Sequence, residues 1–125
     1  MLKTTAFALG LVFSAGIAAA QSAPDPDMAV SAARNQLGVL EYCQTERHID
    51  GSAVEIQGKL LEMLPAATDE AAVQAAYEKG QAGTVSAMGI EQTLADAATA
   101  QNTDVKALCG QLASLVEQAG SQVQQ

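Results

Sequence analysis

Apolar positions recur every three or four residues along most of the chain, and the breaks in that rhythm fall where proline, glycine and aspartate collect. Val30, Ala33, Leu37 and Leu40, with Val39 and Cys43 beside them, predict a first helix. Asp25 or Asp27 can cap it and Pro26 suits a first-turn position. It should end near His48, before a turn at Ile49-Asp50-Gly51. Ser52 to Glu55 matches a capping box, opening a second helix with Ile56, Leu60, Leu61 and Leu64 on its apolar face and Pro65 as its stop. Thr68-Asp69-Glu70 starts a third, faced by Val73, Ala76 and Tyr77, with Gly80 as a left-handed terminator.

After the turn cluster Gly80 to Thr84, the positions Val85, Met88, Ala95 and Ala98 flank Ile90 and Leu94 and predict a fourth, alanine-rich helix that contains Gly89. Asn102-Thr103-Asp104 breaks the chain again. A final helix carries Leu108, Leu112, Leu115, Ala119 and Val123 in near-heptad steps after Val105. No stretch alternates long enough to predict a strand. The expected fold is all-α: four to five short amphipathic helices in a small bundle.

The ends read differently. Lys3, the apolar run Ala6 to Ile17 and the small residues Ala18-Ala19-Ala20 predict a secretory signal peptide over 1–20, cleaved before Gln21. Residues 21–26 should then form a flexible leader, 27–120 the helical domain and 121–125 a frayed tail. A periplasmic or secreted location follows.

Removing residues 1–20 takes away Phe7 and Phe13, leaving 105 residues with no phenylalanine or tryptophan and only twenty Leu, Ile and Val. So lean a core needs a staple. Cys43 and Cys109, the two cysteines, provide one: in an exported chain they predict a disulfide joining the first and last helices. Closing that loop stabilises by roughly 4 kcal/mol in the chain-entropy model. The processed chain sets five basic residues against fourteen acidic ones, a formal charge of −9. Nucleic acid and anionic lipid are poor partners for such a chain.

Little catalytic chemistry can be assembled. His48 is the single histidine and reads as a helix-terminal, solvated residue rather than a general base. Glu46, His48 and Asp50 alternate, but three ligands in one turn make at best a weak metal site, so neither a metal nor a cofactor is expected. Gly80, Gly83 and Gly89 fit no phosphate-binding loop. Asp69 and Glu70 read as helix-start charges, and Tyr42 and Tyr77 as partly buried packing residues.

The strings Ala-Ala-Arg-Asn-Gln-Leu-Gly-Val-Leu-Glu-Tyr-Cys (32–43), Ala-Tyr-Glu-Lys-Gly-Gln-Ala-Gly (76–83) and Leu-Ala-Asp-Ala-Ala (94–98) resemble a group of short exported proteins of Gram-negative bacteria. Some of these carry the label of pore-forming proteins related to the six-kilodalton early secreted antigen family, helical hairpins built around a Trp-x-Gly turn. This chain contains no tryptophan, so no functional residue carries over. The resemblance implies membrane activity. The residues themselves favour a non-catalytic module that binds a protein partner, with self-association open to it. An acid-stress chaperone is a third expectation, since neutralising fourteen carboxylates would loosen a lean bundle.

Overall fold

The computed structural model describes residues 25–87 and 89–123. The expected signal peptide, residues 21–24 of the leader and the last two residues lie outside them. Asp25 and Pro26, also assigned to the leader, open the first helix instead.

The elements run α1 (Pro26–Thr45), α2 (Ser52–Glu62), α3 (Glu70–Gln81), β1 (Thr84–Ala87), β2 (Ile90–Thr93), α4 (Leu94–Ala100) and α5 (Val105–Val123). The architecture is mostly helical, and the expectation of an all-α chain is corrected by an antiparallel hairpin. Its register pairs Thr84 with Thr93 and Ala87 with Ile90. Gly89 takes φ +78°, a conformation that would strain any L side chain. The fourth helix expected to span this stretch survives only as α4. Thr93 caps it, its hydroxyl accepting the Asp96 N–H at 3.1 Å.

Helix ends show where local chemistry prevailed and where it did not. The Asp69 carboxylate caps α3 by accepting the Ala72 N–H at 3.0 Å, and Asp25 caps α1 through the Asp27 N–H. The capping box expected at Ser52 does not form. Asp50 accepts the Ser52 N–H at 2.9 Å, and the Ser52 hydroxyl sits 2.6 Å from Asp50 and 3.0 Å from Glu117 of α5, so it is engaged outside its own helix. α2 stops at Glu62, three residues before Pro65. Gly80 is no terminator either: it is buried inside α3, and Gly83 takes the positive φ of +87° just beyond the helix. α1 closes on Arg47 in the left-handed region at φ 61°. The Arg47 N–H donates to Gln44 and the His48 N–H to Cys43, both at 2.9 Å, the bonding of a Schellman cap without its usual glycine. α5 continues as helix to Val123, into the stretch expected to fray.

α1 is the hub. Its glycine Gly38 faces Gly80 of α3, and the two helices touch backbone to backbone: a Cβ on Gly80 would meet the Asn35 carbonyl oxygen and lie 2.8 Å from the Val39 nitrogen. Two apolar clusters flank α1. One gathers Val39, Leu94, Ala98 and Leu108 around the Cys43–Cys109 disulfide; the other joins Leu40 to Ala53, Ala113 and Val116 between α1, α2 and α5. The predicted bridge between the first and last helices is present, with Cα atoms 5.7 Å apart and both residues fully buried. It pins α5 to α1 where the rest of the contact between them is slight.

One buried polar residue orders the hairpin. Asn35 is 2 % exposed. Its amide donates to the Ala76 carbonyl at 2.8 Å and the Thr84 carbonyl at 3.0 Å, while its carbonyl accepts the Ser86 N–H at 2.8 Å. The side chain therefore acts as a short partner strand for the outer edge of β1, satisfying groups that an edge strand otherwise leaves open.

Candidate functional site

Among the described residues, the groups that carry chemistry are occupied by structure. Cys43 and Cys109 hold no thiol. His48 is half-buried beyond the end of α1, and the Asp50 carboxylate serves Ser52; those bonds from the backbone and hydroxyl hold Asp50 below the usual carboxylate range. No three His, Cys, Asp or Glu side chains among the described residues converge as metal ligands would, Glu46, His48 and Asp50 included. Tyr42 packs half-buried beside the disulfide cluster, its ring closing over Gly83. Tyr77 donates its hydroxyl proton to Glu41 and accepts from the Gln81 amide at 2.9 Å, with the Arg34 guanidinium 5.6 Å from the ring centre. The hydrogen bond to Glu41, helped by desolvation, pushes the Tyr77 hydroxyl up to about 12. That cluster ties α1 to α3.

A different feature stands out on the opposite side of the hairpin. Val85 and Ala87 of β1, Ile90 and Gln92 of β2, Leu94, Ala97 and Gln101 around α4, and Leu108, Gln111, Leu112 and Leu115 of α5 line an open groove of about 460 Å³. A smaller recess of about 240 Å³ continues from it toward Ala32, Gln36 and Val39 of α1, sharing Val85, Ala87 and Leu112. Neither lining contains a charged side chain. Three other depressions among the described residues do: Asp25, Asp27, Asp69 and Lys79 line one, Glu41 and Glu46 a second, and Arg34, Glu62 and Glu70 a third.

The groove arises from two local facts. Alternation along β1 and β2 sends Val85, Ala87, Ile90 and Gln92 toward α5, and Glu91 toward the other face, where it pairs with Lys79. α5 presents its small residues, Cys109, Ala113 and Gly120, together with Val116, to the core; a Cβ on Gly120 would run into Ile56 of α2. Leu112 and Leu115 of the near-heptad stripe are thereby turned aside, toward the groove, while Leu108 stays buried in the disulfide cluster and meets the groove only at its floor. Ile90 is 71 % exposed and Leu115 59 % exposed, neighbours across one opening rather than scattered surface residues.

The chain matches no protein-family model, and no curated protein or solved structure is significantly similar to it.

Sequence reasoning found Cys43 and Cys109 and the apolar stripe of α5, and it missed Asn35 and the hairpin half of the groove. The signal for the hairpin was there: Thr84-Val85-Ser86-Ala87 alternates polar and apolar residues and a Met-Gly pair follows it, with β-branched residues at Thr84, Val85, Ile90 and Thr93. Helical spacing of the same apolar residues concealed it. No helix among the described residues is long and apolar enough to cross a membrane.

Proposed function

We propose that this protein is an exported, non-catalytic interaction module that receives apolar side chains of a protein partner in the groove between the hairpin, α4 and α5, in the periplasm or outside the cell. The observation that carries this reading is the absence of charge from the groove lining on a chain with fourteen acidic residues. Solvated surface on such a chain ordinarily carries charge, and keeping Ile90 and Leu115 exposed at about 25 cal/mol for each Å² left in water favours covering them on association. Gln92, Gln101 and Gln111 at the rim offer amides for orienting a bound segment without demanding a charged one.

The test is a photoreactive residue at Gln111, on the rim, in protein exported by living cells. A discrete adduct should form, disappear in Ile90→Lys, and persist in Glu55→Lys on the exposed side of α2. An adduct indifferent to charge in the groove defeats the proposal. Mass spectrometry of the same material should find the chain starting at Gln21; retention of Lys3 would remove the assignment to an exported compartment.

A second reading, the acid-stress chaperone, draws on two carboxylates. Asp27 holds the loop before α3 by accepting the Thr68 N–H at 2.8 Å and its hydroxyl, and Asp50 holds the start of α2; both are kept below the ordinary carboxylate range by those bonds. Acid releases both. Protection of an aggregating client protein only under acid would favour this reading.

A further inference from the structure

Resting on the groove as the binding surface, we propose that its occupant is a second copy of this chain, held by antiparallel pairing of the two α5 helices about an axis passing beside Leu115. At about 100° per residue, Leu108, Leu112, Leu115, Ala119 and Val123 fall on one stripe of α5. Lys106 and Glu117, the two charged residues of this helix, fall on the opposite side. The stripe has two unlike halves. Leu108 and Leu112 form a floor, buried and half-buried, walled by the hairpin and α4. Leu115, Ala119 and Val123 form a ridge: Leu115 and Val123 are 59 % and 47 % exposed, and Ala119 is exposed as well.

Antiparallel pairing sets the ridge of each copy into the floor of the other. With Leu115 beside the two-fold axis, Ala119 lies opposite the partner's Leu112 and Val123 opposite the partner's Leu108, so a small residue meets a large one and the contact is made twice. A two-fold interface requires such self-complementarity. The charges select the same occupant. Two strongly acidic molecules repel, and they can meet only on a face that sets no carboxylate against another; Gln111, Gln118 and Gln122 flank the stripe and leave it neutral. A basic partner, the natural complement of an acidic protein, finds no carboxylate here to pair with. The stripe from Leu108 to Val123 is about 24 Å long and one helix wide, less than the ~800 Å² per partner of a standard interface, so the dimer is reversible and of micromolar affinity or weaker.

Sedimentation of the oxidised, processed chain from micromolar to millimolar concentration at neutral pH tests this. Wild type should show a reversible monomer–dimer equilibrium. Leu115→Glu and Leu115→Lys should each sediment as monomers with unchanged helicity and melting temperature, because the side chain is exposed. An equimolar mixture of the two variants should recover the dimer, through an ion pair across the axis. A wild type that stays monomeric throughout overturns the proposal, as does a dimer that survives both substitutions or a mixture that fails to recover one. A monomeric chain whose Gln111 photoadduct with a different protein still depends on Ile90 overturns the second copy and leaves the groove reading standing. A monomer with no adduct removes both.

Discussion

Replacing Gly80 by alanine should destabilise this protein, although by helix propensity alone the change is favourable. In an exposed helix interior, Gly→Ala gains about 1 kcal/mol from reduced backbone freedom in the unfolded chain and better propensity. At Gly80 the added Cβ meets the Asn35 carbonyl oxygen, with the Val39 nitrogen at 2.8 Å and the Gly38 Cα at 3.0 Å. These are backbone atoms of α1, so no rotamer change relieves the overlap. Ordinary carbon contacts start near 3.5 Å, and α1 and α3 must therefore separate by roughly 1 Å. Overpacking of this kind costs about 1–3 kcal/mol, and separation also stretches the Asn35–Ala76 hydrogen bond, placing the cost at the top of that range or above. The net expectation is a loss of about 2 kcal/mol or more, a fall of roughly 10 °C in melting temperature for a domain of this size. Gly38→Ala, whose Cβ would meet the Tyr77 carbonyl oxygen and lie 2.8 Å from the Gln81 nitrogen, should behave alike. The double variant should lose less than the two losses combined, because the first separation already makes room for the second methyl. Gly58 and Gly110 are controls: a Cβ there meets nothing within 4 Å, so Gly58→Ala and Gly110→Ala should raise the melting temperature. Thermal unfolding followed by circular dichroism reads the five variants against wild type. A Gly80→Ala variant at least as stable as wild type would refute the backbone contact between α1 and α3.

Three further outcomes are expected. Asn35→Leu leaves the Thr84 carbonyl and the Ser86 N–H without partners and takes the second donor from the Ala76 carbonyl inside α3; at about 1–3 kcal/mol for each unsatisfied group, the variant should lose several kcal/mol in denaturant titrations, and loss of protection at the Ser86 amide in hydrogen exchange should report the freed hairpin. The buried Cys43–Cys109 bridge should resist thiol reductants while the chain is folded, and the reduced protein should be roughly 4 kcal/mol less stable, so rapid reduction under native conditions would contradict the burial. Asp27 has a folded-state pKa below its ordinary value of 3.8, so its contribution to stability is fully present above that value and lost as the pH falls through the folded pKa; Asp27→Asn should flatten stability against pH in that acid window, and an unchanged profile would dismiss the Thr68 latch.

The sequence by itself determined the elements whose signals are local. Asp69 and Pro26 mark helix starts because an orphan N–H needs an acceptor and an N1 residue needs no donor. Cys43 and Cys109 pair because each lies on an inner stripe of a helix, and helical periodicity places those stripes without knowledge of the fold. Tertiary structure decided the rest. Val85, Ile90 and Leu94 fit a helical spacing as well as a strand alternation, and Asn35, fifty residues away, favours the strand by supplying hydrogen-bond partners for the edge of β1. Gly80 was legible as a residue suited to ending a helix, but the approach of Asn35 and Gly38 makes it a point of contact inside one. On α5 the periodicity named an apolar stripe and was silent on which side of it would be buried. Gly120 against Ile56 and the bridge at Cys109 turned the small residues inward, leaving Leu115 and Val123 facing water beside an uncharged groove. That rotation depends on which helices reach α5 first, a fact about neighbours that no single segment contains.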